Sequence, residues 1–240
     1  MPIRLAGLLC GGLLLLSGAT AVAAGPITTH VRVEGSAKTL VPDRAVTLAD
    51  APLVKDGDPA HACSGQSAAG ALEQGTGGDW SGTYFDSFKD YLVETIKGEK
   101  HPGSPDSWTL WVNHRASQSG ICSTSLKAGD RVLFYVDRCV YDSATQGCKN
   151  KPVLPLGISV PKRVRLHKSF VVRVVQYATT GRATPVAGAS VFANGRRLAS
   201  RRTDAKGRLR VTATNAGRVT FQARKANRVR TETVATRITK

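Results

Sequence analysis

The chain has 240 residues and a net charge of +17, so it is strongly basic for its size. Residues 151–240 contain 21 Lys and Arg against 2 acidic residues (+19), whereas residues 1–150 contain 13 against 15 (−2). Beyond residue 24 no stretch has the roughly 20 apolar residues that a membrane helix needs, which excludes a multi-span membrane protein. The length is typical of two small domains.

The first residues have the three-part pattern of a secretory signal peptide. Arg4 gives a positive start, residues 5–16 form an apolar run, and residues 21–24 end it with small side chains. We therefore predict a cleaved signal peptide over residues 1–24. The mature protein would have no transmembrane segment and would be secreted, extracellular or associated with the cell surface.

Loss of the signal peptide would leave four cysteines, which are Cys63, Cys122, Cys139 and Cys148. An even number of cysteines in an exported chain predicts two disulfides. Three pairings are possible, and we prefer Cys63–Cys122 with Cys139–Cys148. Zinc is the competing use, but the chain has no CxxC pair and no nearby pair of histidines to supply the close ligand spacing. We predict neither a bound metal nor a cofactor.

A first domain is predicted over residues 26–140. It begins with alternating segments typical of strands, with a turn at Pro42 and Asp43, and residues 67–73 are the best candidate for a helix. An aromatic cluster follows within a dozen residues: Trp80, Tyr84, Phe85, Phe88 and Tyr91. Such a cluster usually fills a core, and a binding groove is the alternative.

The clearest strand pattern lies in residues 107–139. A period of two places six apolar side chains towards the core: Trp108, Leu110, Val112, Val132, Phe134 and Val136. The opposite face carries an apolar patch, which we call the outer patch: Trp111, Leu133 and Tyr135. Either a loop or the second domain covers this patch, or it is a candidate face for a ligand or partner.

Residues 108–113, a glycine-bearing crossing and the segment LKAGDRVLF at residues 126–134 together resemble the transcobalamin C-terminal-like family. This bacterial module is of β-grasp type and is related to the soluble-ligand-binding β-grasp domains. The opening VRVEG at residues 31–35 and the short early helix are similar to that family too. The resemblance covers residues 30–140 and implies a secreted or surface-displayed, non-catalytic domain. In the vitamin-carrier relatives the module closes over cobalamin held by an all-helical domain, which nothing in this chain resembles.

A linker with a short disulfide loop is predicted over residues 141–155, and a second domain over residues 156–240. Its short alternating runs, with turns such as Asn194-Gly195 between them, indicate an all-β sandwich. Residues 185–191, 203–207 and 213–217 resemble the carboxypeptidase-regulatory-like and bacterial immunoglobulin-like surface modules, which implies a spacer or adhesion unit. The predicted fold class is therefore mainly β: an N-terminal α+β β-grasp-like domain and a C-terminal immunoglobulin-like sandwich.

The cations of the second domain fall into two groups. Four alternate with apolar residues and are predicted to line polar faces as polyanion contacts: Arg208, Arg210, Arg218 and Arg224. Six others are predicted in or near turns: Arg163, Arg165, Arg196, Arg197, Arg201 and Arg202. Such one-sided charge attracts polyanions, and an anionic cell-envelope polymer is the expected partner. Nucleic acid is not favoured because few aromatic residues are interleaved, and a solvated face without a partner is the alternative.

The sequence contains no GxSxG elbow, no HExxH motif and no P-loop, and its five histidines are scattered. Asp86, Asp90 and Glu94 have helical spacing but alternate with aromatic residues, so we expect them at a solvated edge. We predict a monomeric, non-catalytic binding or surface-structural protein that attaches to anionic envelope polymers through its basic domain. The alternative is a carrier of a small, cobalamin-like molecule that uses the outer patch. The sequence does not identify the ligand.

Overall fold

The computed structural model describes residues 25–145, 147–198 and 202–240. The predicted signal peptide and Arg201 lie outside these residues. The fold is mainly β, as predicted, and has two separate apolar cores with a third, smaller apolar cluster between them. In the part of the chain that the structure describes, no helix is long and apolar enough to cross a bilayer.

The first domain has the β-grasp arrangement. Its elements are β1 (Ile27–Glu34), β2 (Thr39–Leu48), β3 (Pro52–Leu53), a 3-10 turn (Pro59–His61), β4 (Cys63–Ser64), α1 (Ala68–Thr76), β5 (Trp80–Phe85), β6 (Asp90–Ile96), β7 (Glu99–Lys100), β8 (Pro102–Gly103), β9 (Asp106–Val112), β10 (Arg115–Ala116) and β11 (Arg131–Arg138). The main sheet has the order β10-β9-β11-β1-β2, and β8 pairs with β9. Strands β1 and β11 are parallel neighbours at its centre, and the other pairs are antiparallel.

The core of the first domain lies between α1 and the main sheet. Leu72 of the helix and Val31 of β1 are fully buried there. A Cβ at Gly75 would lie 2.5 Å from the Val31 side chain, so the helix approaches the sheet closely because residue 75 has no side chain. The six side chains predicted to face the core from β9 and β11 all pack into this cluster.

The predicted turn at Pro42 and Asp43 is wrong, because β2 runs through both residues. The pairing of β1 with β2 shifts register between Val31 and Val33, opposite this part of β2. Proline is tolerated in a strand at such an irregularity, where its missing N–H does not interrupt a regular ladder.

Both disulfides of the preferred pairing are present. Cys63 of β4 is linked to Cys122 in the loop after β10, across 59 residues of sequence. Cys139 is linked to Cys148 across 9 residues, around a small hairpin of β12 (Tyr141–Asp142) and β13 (Gly147–Cys148). The first disulfide therefore ties distant parts of the first domain together, and the second closes only a local loop.

The second domain is a sandwich of two sheets. Its strands are β14 (Leu154–Ser159), β15 (Arg163–Arg165), β16 (Ser169–Tyr177), β17 (Ala183–Pro185), β18 (Ser190–Ala193), β19 (Arg196–Arg197), β20 (Arg208–Thr212), β21 (Gly217–Arg224), β22 (Arg228–Val229) and β23 (Val234–Thr239). The β16 sheet has the order β17-β16-β14-β22 with β20 also on β16, and the β21 sheet has the order β15-β23-β21-β18-β19. The sheets share one core, in which the rings of Phe170 and Phe221 meet edge to face at 5.8 Å.

Candidate functional site

The outer patch is a domain interface. Trp111 and Tyr135 are each 2% exposed and pack with Val229 of the second domain, and Leu133 is half-buried in the same cluster. The Tyr135 hydroxyl donates a hydrogen bond of 2.6 Å to the Val153 carbonyl, and burial raises the pKa of Tyr135 above its ordinary value. The interpretation of this patch as an open ligand face is therefore wrong, because the second domain covers it.

Polar contacts surround the apolar part of this interface. Arg32 Nη1 donates to the Arg230 carbonyl at 3.2 Å, and Arg230 Nη1 lies 3.4 Å from Glu34 Oε2. Glu34 is 2% exposed, and its burial raises the pKa of this carboxyl, while the two guanidinium groups oppose that rise. The His114 ring of the first domain stacks on the Tyr177 ring of the second, with centroids 4.0 Å apart. Apolar, ionic and aromatic contacts thus join the two domains.

The four predicted polyanion contacts lie on opposite faces of the sandwich. Arg208 and Arg210 project from the outer face of the β16 sheet, while Arg218 and Arg224 project from the outer face of the β21 sheet. Arg208 is also paired with Asp204 at 3.1 Å. These four residues therefore cannot form a single contact surface.

Three arginines form a row across the β21 sheet, which we call the arginine row. Strand β15 places Arg163 opposite Arg237 of β23, and β21 places Arg218 opposite the same residue. Directly opposed residues of adjacent strands point to the same side and are about 5 Å apart, so the row is about 10 Å long. All three side chains are exposed.

Most of this row was not predicted from the sequence. Arg163 and Arg165, predicted in or near turns, form strand β15, and Arg237 was not among the predicted contacts. The alternation of Arg163-Val164-Arg165 and of residues 236–238 was a visible strand signal. The pairing of these strands, which creates the row, has no signal in the sequence.

The positive charge of the row has no carboxylate partner within the described chain. Residues 151–240 contain only two acidic residues, Asp204 and Glu232. Asp204 pairs with Arg208 on the opposite sheet, and Glu232 lies 3.8 Å from Arg32 at the domain interface. Like charges directly opposite each other destabilise a sheet, so the row opposes folding unless an external anion compensates it.

A cationic cleft of about 370 Å³ lies on the same outer face, and its charged and aromatic lining consists of Phe192, Arg197, Arg202, Arg224 and Lys225. The Arg224 guanidinium lies 4.7 Å from the Phe192 ring centroid, and its Nε donates to Gln222 Oε1 at 3.0 Å. Lys225 Nζ donates to the Ala187 carbonyl at 2.8 Å. These acceptors are neutral, so they orient the cations without cancelling their charge.

The structure divides the predicted aromatic cluster. Trp80 and Tyr91 are buried as expected for a core, and Tyr84 is half-buried. Phe85 and Phe88, however, are 42% and 74% exposed, and they line a groove at the end of the β5–β6 hairpin. These two side chains therefore line an open groove and do not fill the core.

Comparisons with known proteins identify no family. No family model and no curated protein matches the chain. Among solved structures, the chain is similar to the CARDB domain of a Pyrococcus furiosus protein in complex with di-metal ions, with 19% identity, 41% of this chain and 98% of that chain covered, and a TM-score of 0.26. A likeness this weak carries no argument about fold, metal or function, and the transcobalamin-like resemblance finds no support. Within the described ranges of this chain, no group of three or more His, Cys, Asp or Glu side chains could hold a metal ion.

Proposed function

We propose that this chain is a secreted, non-catalytic protein that attaches to anionic polymers of the cell envelope through the outer face of the β21 sheet. The observation that carries the proposal is the arginine row, whose like charges lie side by side without a carboxylate partner in the described chain. The N-terminal leader pattern and the two disulfides support a location outside the cytosol.

The extent of the cationic face favours a linear polymer over a single small anion. Along β21, Arg218 of the row and Arg224 of the cleft are six residues apart, which corresponds to about 20 Å of strand. Successive charges of one chain can therefore meet the row and the cleft together. Binding would also relieve the repulsion between the arginines of the row. Polymer binding should therefore stabilise the folded state.

Nucleic acid is a less suitable polymer for this face. Non-specific binding of single strands combines a cationic groove with aromatic rings on which the bases stack. The aromatic residue that lines the cleft is Phe192, and the Arg224 guanidinium covers its ring. We therefore propose a polymer of phosphates or carboxylates without bases.

The test is the binding of full-length mature protein to long-chain polyphosphate and to alginate, measured as a function of salt. The variant Arg163→Gln/Arg218→Gln/Arg237→Gln removes the row. At about 0.15 M salt we expect its affinity to fall by about tenfold or more, because three charge contacts are lost. For a linear polyanion, the slope of log affinity against log salt should decrease by about three.

The matched control is Arg173→Gln/Arg208→Gln/Arg210→Gln, which removes three positive charges from the opposite sheet, where the exposed Arg173 of β16 lies opposite Arg208 of β20. This control should retain most of the binding. Equal losses in both variants, or binding that does not change with salt, would contradict the proposal. Tighter binding to duplex DNA than to either polymer would assign the face to nucleic acid, and tighter binding to phosphatidylglycerol vesicles would assign it to a membrane surface.

A further inference from the structure

The first domain has a second, independent feature on its surface, the groove at the end of the β5–β6 hairpin. Its volume is about 520 Å³, which is within the range of pockets for small ligands. One wall is formed by the hairpin and the other by residues 118–123 of the loop after β10. Three exposed apolar side chains, Phe85, Phe88 and Leu92, lie together on the hairpin wall.

This exposure is unusual for a hairpin tip, which is normally polar. Phe88 is 74% exposed, and its ring meets the Phe85 ring at a centroid distance of 6.5 Å without either being buried in the core. The other large apolar side chain exposed in the described chain, Val140, lies at the end of the first domain and outside this groove. A contiguous apolar patch beside polar residues is typical of a binding site.

The two walls are held in place before any ligand arrives. Asp90, predicted at a solvated edge, is 6% exposed instead, and its carboxylate accepts hydrogen bonds from the backbone N–H groups of Tyr91, Cys122 and Ser123 at 2.9–3.0 Å. The Cys63–Cys122 disulfide also holds this loop, by linking it to β4. A Cβ at Gly120 would lie 2.4 Å from the Asp90 carboxyl carbon, so the glycine allows the loop to reach this carboxylate.

The charged group in the lining of the groove is the Asp90 carboxylate. It is 6% exposed and already accepts hydrogen bonds from three backbone N–H groups, so its oxygens are directed at the loop, and its negative charge disfavours an anionic ligand. At the hairpin tip Lys89 Nζ lies 3.1 Å from Asp86, so these two opposite charges compensate each other. The loop wall adds the uncharged polar side chains of Gln118, Ser119 and Ser123. The groove thus offers an apolar wall opposite an amide and two hydroxyl groups, on a molecule whose other candidate surface is strongly cationic.

We infer that this groove binds a neutral, amphiphilic small molecule, with its apolar body against Phe85, Phe88 and Leu92 and a hydroxyl or amide group towards Gln118 and Ser123. The groove is concave and of ligand size, which matches a small molecule better than a flat protein surface. The inference does not depend on polyanion binding, because the two sites lie on different domains.

The test is titration of full-length mature protein with the neutral fluorophore N-phenyl-1-naphthylamine, followed by the rise in probe fluorescence. Saturable binding with one site per chain is expected. Phe88→Ser should weaken this binding by about tenfold, because the largest exposed apolar surface of the groove is lost. The matched control, Val140→Ser, removes an exposed apolar side chain outside the groove and should leave the affinity unchanged.

A second probe tests the neutral character of the site. The sulfonated analogue, 8-anilinonaphthalene-1-sulfonate, has the same apolar body and a negative charge. At about 1 M salt, where attraction to the arginines is screened, it should bind no more tightly than the neutral probe. The inference is overturned if the neutral probe does not bind, if Phe88→Ser and Val140→Ser lower the affinity equally, or if the sulfonated probe binds more tightly in a way that depends on Phe88.

Discussion

The two domains of this protein use charge in opposite ways. In the first domain several cations have local acidic partners: Lys55 lies 3.1 Å from Glu73, and Arg131 lies 2.9 Å from Asp43. Residues 151–240, which include the whole second domain, contain 21 cations and only 2 acidic residues, and the arginine row places like charges on adjacent strands. The first arrangement stabilises the fold itself. The arrangement in the second domain lowers the stability of the fold and leaves positive charge available to a partner. We therefore propose that the second domain binds the anionic polymer.

The domains also differ in covalent support. All four cysteines of the predicted mature chain lie before residue 149, so both disulfides belong to the first domain and the linker. The sandwich depends on its own core and on its interface with the first domain. Removal of disulfides, removal of charges and a change of pH should therefore alter the stability of the protein differently according to the domain that is changed.

The largest effect on the free energy of unfolding is expected from removal of the Cys63–Cys122 disulfide. Chain entropy predicts that Cys63→Ala/Cys122→Ala lowers the free energy of unfolding by about 4 kcal/mol, because a loop of 59 residues is released in the unfolded state. The matched variant Cys139→Ala/Cys148→Ala releases a loop of 9 residues and should cost about 2.5 kcal/mol. Urea unfolding followed by tryptophan fluorescence measures this, since all three tryptophans are in the first domain. Equal losses in both variants would contradict this ranking.

A smaller effect, of opposite sign in the two domains, is expected from removing single arginines. Arg237→Gln takes the central charge from the row and should raise the free energy of unfolding by about 0.5 kcal/mol at low salt. Arg131→Gln removes the partner of Asp43 and should lower it by about 0.5 kcal/mol. The difference should shrink at about 1 M salt because both interactions are screened. A loss of stability in both variants would show that other groups compensate the repulsion between the arginines of the row.

Much of the fold was predictable from local patterns. The alternation in β9 and β11 predicted which six side chains enter the core, and the even number of cysteines predicted two disulfides. Local patterns failed where a distant partner decides the outcome. Pro42 lies inside a strand because the register shift against β1 accommodates it, and Trp111 is buried because another domain covers it.

The candidate sites were less predictable than the fold, because they too depend on contacts between residues that are distant in the sequence. Composition showed that the second domain is basic, but only the pairing of β15 and β21 with β23 brings Arg163, Arg218 and Arg237 into one row. In the first domain the sequence showed an aromatic cluster. The division between buried Tyr91 and exposed Phe88 follows from the position of the hairpin against the loop that Asp90 holds.

The smallest effect on stability is expected from two histidines, each of which stacks on a different tyrosine. His114 stacks on Tyr177 across the interface, and burial lowers the pKa of His114 below its ordinary 6.5. His61 stacks on Tyr84 within the first domain, and its hydrogen bond to Asp56 raises the pKa of His61. The pKa of His114 is lower in the folded state, so its contribution is present above about pH 6.5 and is lost as the pH falls. For His61 the sign is reversed, so its contribution is present below about pH 6.5 and is lost as the pH rises through the raised pKa.

Replacing either ring with phenylalanine keeps the stack and removes the titration. Between pH 7 and pH 5, His114→Phe should therefore lose less stability than the unmodified protein, and His61→Phe should lose more. Urea unfolding at both pH values measures the two differences, and carboxylates that titrate in the same range affect all three proteins alike. The same pH dependence in His114→Phe as in the unmodified protein would mean that the imidazole is not buried between the domains, and the interface that closes over Trp111 and Tyr135 would have to be more open than the structure shows.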